Sequence, residues 1–345
     1  MKLVKPYVKY KRCEDEEAQI AYAARICYAA EPTDIDDQTF ILNLWNKRNH
    51  RSPFRHGTVY LEISGSFGRI LSNFIKSPFC TCVFIKEEYS WYISTNFQFI
   101  RELDENISKT IQNFFVDDTY VHWLAFNKYP ELKDIIRVSF EIVTQVSTSR
   151  ELNRVSPNNI CEQSTRFCNF SNEKKFGNHI AFCEPHWLDA TTYYDTTRDT
   201  EEPADERTFI REYVGEHIYT YAQVGNANLE LMTMYPIATK GIDLPDSSNL
   251  LYSSHIAIRY IEGLIDDEER YLEFLKLGMR PEDARGILGL DVATKCFYTY
   301  SVKEWKHILD LRYKGTTGRP HPNAKIVAEE IYNQIKTMEL FYNYE

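Results

Sequence analysis

The sequence predicts an α+β protein in one domain, because helix-like and strand-like hydrophobic patterns alternate along the chain. Small apolar residues recur at three- and four-residue spacing over 15–30 (DEEAQIAYAARICYAA), with acidic residues in the first turn, which is typical of an amphipathic helix. Apolar and polar residues alternate over 58–67 (TVYLEISGSF) and 138–146 (VSFEIVTQV), which is typical of strands. Because the chain shows no internal repeat and no low-complexity segment, we expect a single unit with a large insertion.

Capping and breaking residues place the other elements of the first half. A second helix is predicted over 37–48, and Pro53 and Gly57 interrupt the chain before the first strand. Residues 70–138 mix short helical and extended pieces. The strand at 138–146 runs into a short helix, for which Ser147 or Ser149 could be the N-cap, and Pro157 ends that helix.

The second half is predicted to be mainly helical. The acidic, proline-containing segment RDTEEPADER (197–206) is expected to be a surface loop, and helices are expected over 207–234, 265–278, 302–313 and 323–340. In RPEDARGILG, Pro281 fits the first helical position, and the two acidic residues after it suit a helix N-terminus.

The charge balance excludes one class of partner. Forty Lys and Arg against 50 Asp and Glu give a net charge of −10. A duplex nucleic acid would need a basic face that releases phosphate counterions, so no nucleic-acid partner is expected. A small anionic ligand stays possible, because a few arginines can form a local positive pocket in an acidic protein.

Apolar runs and cysteine usage indicate a cytoplasmic protein. No stretch approaches the roughly 18–20 apolar residues of a membrane span, and the N-terminal segment lacks the apolar region of a secretory signal. The eight cysteines are spread over 345 residues, which favours reduced thiols over a disulfide scaffold. Cys80 and Cys82 lie two apart without a C-x-x-C pair, so no metal site is expected.

The densest group of candidate residues is RELNRVSPNNICEQSTR (150–166). Arg150 and Arg154 share a helix face, and Ser164 and Arg166 follow in a loop. Hydroxyl and guanidinium groups presented from a helix end are what a phosphate monoester needs, although a solvated polar loop with ordinary ion pairs explains the same residues. Cys161, inside this segment, is either a small packing residue or a reactive thiol.

Other candidates also have structural explanations. Arg285 could extend its charge to water from an apolar helix face, and Arg312 could bind the last carbonyls of its helix. His50 and His56 flank a proline turn, where histidines are more often structural than ligands. Ser164 lies in no nucleophile elbow, and the sequence has neither a P-loop nor a dinucleotide-binding glycine motif, so a serine hydrolase is not supported.

Four segments together resemble, in order and spacing, the flavin-dependent thymidylate synthases. NHRSPFRH (49–56) resembles the family's Gly-His-Glu-Ser/Thr-Pro-x-x-His turn, and EQSTRFCNFSNEKKFGN (162–178) resembles its Ser-Thr-Arg-Tyr-Cys-Asn-Tyr-Ser region. GMRPEDARGIL (278–288) resembles Gly-x-x-Pro-x-x-Ala-Arg-x-x-Leu, and TYSVKEWKHILDLR (299–312) resembles Thr-x-Asn-x-Arg-x-x-x-x-Phe-Leu-x-Leu-Arg. Because four ordered segments are more specific than any one, the chain is identified as a divergent member of this family.

The resemblance implies a mixed sheet with long helices, assembled as a homotetramer with active sites at subunit interfaces. It implies reductive methylation of dUMP to dTMP, with methylenetetrahydrofolate as carbon donor, FAD as hydride carrier and NADPH as reductant. Arg312 takes the position of the catalytic arginine that activates uracil by favouring ionisation of its ring imide, and a fixed guanidinium does stabilise such an anion. The dUMP-binding positions are Glu151, Arg154, Glu162, Ser164, Thr165, Arg166 and Arg285. The FAD-binding positions are His50, Ser52, Arg154, Ser156, Glu162, Ser301, Lys303 and His307.

The departures from the family pattern concentrate at the flavin positions. The family's Arg-His-Arg is Arg154-Val155-Ser156 here, and its Asn and Arg near the flavin ring are Ser301 and Lys303. Exchanging a planar guanidinium for Ser or Lys at such a contact is not conservative. The family-atypical insertion at about 65–138 could supply replacements, with Trp91, Tyr92 and Asn96 as candidates.

Three functions are compatible with this pattern. The first is a divergent thymidylate synthase, and the second is a paralogue that binds a pyrimidine nucleotide but has altered or lost flavin chemistry. The third is a non-catalytic nucleotide-binding or scaffolding relative. The presence of Arg285 and Arg312 favours the first two, since a scaffold needs no arginine that activates an imide.

Overall fold

The computed structural model describes residues 1–31, 35–189, 206–214, 217–224, 227–230, 238–239 and 250–344. Its strands are β1 (Lys2–Val4), β2 (Tyr7–Tyr10), β3 (Thr58–Ser64), β4 (Thr81–Ile85), β5 (Ser90–Asn96), β6 (Phe115–Val116), β7 (Arg137–Gln145), β8 (Ile160–Glu162), β9 (Ala181–Cys183), β10 (Leu188–Asp189), β11 (Glu206–Val214), β12 (His217–Val224), β13 (Ala227–Glu230), β14 (Ala238–Thr239) and β15 (Ala293–Ser301).

The α-helices are α1 (Glu16–Tyr28), α2 (Asp37–Asn46), α3 (Gly68–Ile75), α4 (Phe97–Glu102), α5 (Glu105–Ile111), α6 (Asp118–Asn127), α7 (Val146–Leu152), α8 (Glu173–Phe176), α9 (Leu250–Lys276), α10 (Pro281–Ala284), α11 (Val302–Leu309) and α12 (Pro322–Thr337). Short 3₁₀ segments cover Ser52–His56, Gln112–Phe114, Pro130–Ile135 and Arg285–Ile287, and a π-helical turn covers Asp310–Lys314. The predicted α+β class with a mixed sheet is confirmed, because β1 pairs parallel with β9 and antiparallel with β11. None of the helices described is long and apolar enough to cross a membrane.

The chain divides into two compact units. The first unit contains Met1–Pro6, Val143–Ser149 and Ser164–Thr294, and the second contains Tyr7–Ile142, Arg150–Gln163 and Lys295–Glu345. Each unit is therefore assembled from three separated stretches of sequence.

The first unit is built on a five-stranded sheet in the order β13-β12-β11-β1-β9. Its core contains Phe182 of β9, Ile261 and Tyr271 of α9 and Ala284 of α10. Pro281 occupies the first turn of α10, as predicted, because its fixed φ suits that position and its missing N–H has no helical partner to lose.

The second unit contains two four-stranded sheets, β2-β7-β15-β8 and β4-β5-β3-β6. Its main core surrounds Trp305 of α11, which is fully buried and whose Nε1 donates to the carbonyl of Val138 over 3.0 Å. The predicted helix at 15–30 is α1, and the Asp15 side chain caps it by accepting from the Ala18 N–H.

The helix predicted over 207–234 is wrong. The described residues of this stretch form the antiparallel strands β11, β12 and β13. Aromatic and β-branched residues are dense there, as in TFIREYV and HIYTYAQV, and this composition favours strands over a helix. The acidic loop expected over 197–206 lies outside the described residues except for position 206, which begins β11.

The other predicted helices of the second half form, and only the start of one of them differs by more than a few residues. The helix expected over 265–278 is the end of α9, which begins at Leu250. The helix expected over 302–313 is α11 followed by the π-helical turn Asp310–Lys314, and the one expected over 323–340 is α12.

Candidate active site

A cleft of about 650 Å³ opens in the second unit between the start of α11, the loop after α7 and the β4–β5 hairpin. Lys303 and His307 lie four residues apart on α11, so they share one face of that helix. Arg154 and Ser156 reach the cleft from the loop after α7, and Trp91 lines it from β5. Residues of two predicted flavin segments and of the predicted insertion therefore line the same cleft.

The chemistry of this cleft suits a large anionic ligand with a planar group. Its volume is within the range of roughly 300–1,000 Å³ that is common for ligand sites. Arg154 and Lys303 are cations, Ser156 supplies a hydroxyl and Trp91 supplies an aromatic face. A flavin nucleotide combines phosphates with a planar ring, so the residues present fit FAD.

Two cysteines and a threonine of the cleft are residues that sequence reasoning missed as site components. The sequence presents Cys80 and Cys82 only as possible metal ligands, whereas both line the cleft beside Thr81. Burial raises the pKa of Cys80 to about 11 and that of Cys82 to about 12, so both thiols stay protonated at neutral pH. No group of three or more His, Cys, Asp or Glu side chains among the described residues could hold a metal ion.

Ser301 lies beside the cleft but its hydroxyl is committed to the fold. The residue is fully buried and caps α11: its Oγ accepts from the Glu304 N–H over 3.3 Å and also lies 2.8 Å from Thr81 Oγ1. The Glu304 carboxylate accepts in turn from the Ser301 N–H over 2.7 Å, which completes a capping box. A hydroxyl used in this way has little capacity left for a cofactor.

The other residues at predicted flavin positions do not line the cleft. His50 Nδ1 lies 3.1 Å from the hydroxyl of Tyr28, and Ser52 begins a 3₁₀ turn. Glu162 ends β8, where it pairs with Cys296 of β15. Of the candidates in the insertion, only Trp91 lines the cleft, since Tyr92 and Asn96 are buried in the fold.

Arg312 is a fixed and mostly buried guanidinium in the second unit. It lies in the π-helical turn, its side chain is 13% exposed, and its Nε donates to the backbone carbonyl of Glu151 over 2.7 Å. Glu151 Oε2 lies 3.8 Å from the same nitrogen. Burial lowers the pKa of Arg312, and the nearby charge of Arg154 lowers it further. A buried cation beside another cation stabilises any anion that reaches it.

In the first unit, the structure brings together residues from two predicted dUMP segments. Arg285 Nη1 donates to Thr165 Oγ1 over 2.7 Å, across 120 residues of sequence, and its Nε donates to the carbonyl of Glu282 over 3.1 Å. Arg166 is more exposed and lies 3.7 Å from Glu282, while Ser164 Oγ accepts from the Arg166 N–H over 3.3 Å. This cluster presents two guanidinium groups and two hydroxyls, which is the donor set of a phosphate site.

His56 has a structural role. It is fully buried, its Nδ1 lies 2.9 Å from Thr299 Oγ1, and burial lowers its pKa to about 3. The ring is therefore neutral at physiological pH and holds the turn against β15.

Residues 93–338 match the family described as thymidylate synthase complementing protein. The match covers more than half of the chain, and three of the four motif segments lie within it, so the chain belongs to this family. Among curated proteins, no sequence matches the chain.

Two solved structures of the UMP/dUMP methylase PolB from Streptomyces cacaoi are distantly similar to this chain. The one bound with 5-Br dUMP has 15% sequence identity and a TM-score of 0.39, covering 99% of this chain and 96% of that chain. The one bound with 5-Br UMP has 14% identity and a TM-score of 0.38, covering 98% and 95%.

Proposed function

We propose that this chain converts dUMP to dTMP, with methylenetetrahydrofolate as carbon donor, FAD as hydride carrier and NADPH as reductant. Membership of the thymidylate synthase complementing family supports the reaction class. The observation that carries the proposal is Arg312, a mostly buried guanidinium that the Glu151 carbonyl holds in place, at the position where the resemblance requires the activating arginine.

Arg312 stabilises the anion that makes uracil reactive. Its Nε is held by the Glu151 carbonyl, and among the described residues its Nη2 has no hydrogen-bond partner. The contact of Nε with a backbone carbonyl fixes the plane of the guanidinium. Nη2 is therefore already oriented to donate to a deprotonated ring imide, without reorganisation. Stabilising this anion raises the electron density at C5 and so promotes attack without a covalent enzyme thiol.

The cluster of Ser164, Thr165, Arg166 and Arg285 binds the phosphate of dUMP. Arg285 is already oriented by Thr165 and by the Glu282 carbonyl, so it loses little side-chain entropy on binding. Arg166 is half exposed and supplies a second cation. In the homotetramer that the resemblance implies, each active site combines residues of more than one subunit.

The cleft of the second unit holds FAD, whose bound form supplies the hydride that completes the methyl group. Arg154 and Lys303 would hold its phosphates, and Ser156 and His307 would supply further polar contacts. Trp91, from the insertion, would offer an aromatic face to the planar ring in place of the imidazole and second guanidinium of the family's Arg-His-Arg.

A second candidate is a pyrimidine-nucleotide paralogue with altered or lost flavin chemistry. The capping box of Ser301 favours it, because the hydroxyl at a family flavin position is buried and already bonded to Thr81 and Glu304. Under this alternative the nucleotide cluster and Arg312 function, whereas the cleft takes another ligand.

One titration experiment distinguishes the two candidate functions. Purified protein is titrated with FAD and then with dUMP while its absorbance spectrum is recorded, and tritium release from C5-labelled dUMP is measured with NADPH and methylenetetrahydrofolate. Flavin binding near stoichiometry with tritium release supports the synthase. Binding of dUMP without flavin binding favours the paralogue, and binding of neither contradicts both.

A further inference from the structure

Four aromatic side chains pack against one another beside the π-helical turn that carries Arg312. Tyr313 of this turn stacks on Tyr332 of α12, with ring centres 4.8 Å apart and planes inclined by 23°. Tyr332 also stacks on Phe341, at 5.2 Å and 27°. The ring centre of Tyr344 lies 4.8 Å from that of Phe341. These four side chains, here called the aromatic stack, join the turn to α12 and to the segment that follows it.

Two lysines attach the same segment to the turn and to α11. Lys314 of the turn places its Nζ 3.7 Å from the centre of the Tyr344 ring, which is a cation–π contact. Lys306 of α11 donates from its Nζ to the backbone carbonyl of Tyr342 over 2.6 Å. Both residues that follow the arginine in the turn are therefore held by rings from outside it.

These contacts and the hydrogen bond of Arg312 hold the two ends of one side chain. The Glu151 carbonyl accepts from Nε over 2.7 Å and so fixes the guanidinium. The stacked ring of Tyr313 and the cation–π contact of Lys314 fix the backbone from which the arginine extends. Stacked aromatic pairs are favourable beyond the area that they bury, and their geometry is specific. All of these residues lie in the second unit, and the aromatic stack packs against its main core.

We propose that the aromatic stack positions Arg312, with Tyr332 as the central ring because it stacks on two others. The inference rests on the proposed function, in which the guanidinium stabilises the uracil anion. Tyr332 is a positioning residue, since it touches the neighbour of Arg312 and acts on the nucleotide through the guanidinium. The residues proposed to bind the phosphate belong to the first unit, so the aromatic stack supports activation of the ring rather than capture of dUMP.

The kinetic test compares Tyr332→Leu, which loses the ring but stays apolar, with Tyr332→Phe, which keeps the ring. In Tyr332→Leu, kcat for tritium release from C5-labelled dUMP should fall about tenfold or more, because misplacing a reacting group by about 1 Å can cost about 10²-fold. KM for dUMP should change little, since the lost interaction belongs to the chemical step. Tyr332→Phe should have the kcat of wild type, because the proposed role needs the ring and not the hydroxyl.

Two further variants complete this test. Phe341→Leu removes the neighbouring ring and should lower kcat in the same way, which keeps the test available if Tyr332→Leu fails to fold. Met338→Ala is the matched control, because Met338 packs against the same core but is not part of the aromatic stack. Its kcat should equal that of wild type even where its urea midpoint is lower.

A second measurement needs no substrate. Arg312→Ala is introduced into wild type and into Tyr332→Leu or Phe341→Leu, and the shift in urea midpoint that it causes is compared between the backgrounds. If the aromatic stack holds the arginine on the Glu151 carbonyl, the shift should be clearly smaller once the ring is gone, because interacting side chains are not additive.

Either of two results would overturn the proposal. One is an equal midpoint shift in both backgrounds, which is expected of independent residues. The other is a folded Tyr332→Leu protein with kcat within about threefold of wild type, since a displaced guanidinium should cost more. If wild type releases no tritium, the proposed function fails, and the urea comparison alone decides whether the aromatic stack positions Arg312.

Discussion

Replacing Arg312 with alanine tests the activating role of the guanidinium. The substitution removes a side chain that is 13% exposed and the donor that satisfies the Glu151 carbonyl at 2.7 Å. If Arg312 stabilises the uracil anion, its loss should lower kcat by about 10²–10³, the usual effect of removing one preorganised donor from a developing oxyanion. Arg312→Lys retains the charge but not the planar edge, so it should recover only part of this loss.

The assay is tritium release from C5-labelled dUMP under saturating cofactors, with dUMP affinity measured separately. A role in chemistry predicts that kcat falls much more than dUMP affinity. The matched control is Arg69→Ala, an exposed arginine of α3 that should leave kcat unchanged. Thermal unfolding of each variant shows whether the fold is intact. A folded Arg312→Ala variant with kcat within about threefold of wild type would refute the reasoning, because an essential donor contributes far more than that.

Three further predictions concern binding and stability. Arg166→Ala should raise the dissociation constant of dUMP about tenfold or more in calorimetric titration, since a charged hydrogen bond contributes about 1.5–3 kcal/mol; unchanged affinity would show that this loop is only a surface. His56 has a pKa of about 3 in the fold against 6.5 in the unfolded chain, so only the unfolded state takes up this proton as the pH falls below 6.5. The free energy of unfolding should therefore fall by about 1.4 kcal/mol per pH unit from this residue, and urea titrations of His56→Gln should lack that contribution. Ser301→Ala should lower the free energy of unfolding by about 1–2 kcal/mol through loss of the cap on α11, while an unchanged urea midpoint would contradict the capping role.

Helix starts can be predicted from the sequence where the deciding residues lie within one turn of the helix. Asp15 before α1 and Pro281 at the start of α10 are helix signals within one turn of the helix they begin, and both elements form where expected. The region 207–234 resembles a helix by its apolar content, but its described residues pair as strands. Its many aromatic and β-branched residues are the local signal that favours a strand.

The contacts of the candidate site that join distant parts of the sequence are the ones that the sequence could not predict. The family resemblance assigns Thr165 and Arg285 to one site, and the structure shows a hydrogen bond between their side chains. No local pattern indicates that Cys27 of α1 and Cys161 of β8 pack in one cluster, because only tertiary packing brings these two elements together. Ser301 stands where the family has Asn, and only the structure shows that its hydroxyl caps α11.

The π-helical turn at Asp310–Lys314 has a consequence for how this protein can vary. Such a turn contains one residue more than an α-helical turn, and each residue rotates the chain by about 100°. The direction of Arg312 relative to the buried Trp305 therefore depends on the number of residues between them. A single-residue insertion or deletion in this stretch would turn the guanidinium to another side of the helix, away from the Glu151 carbonyl that holds it.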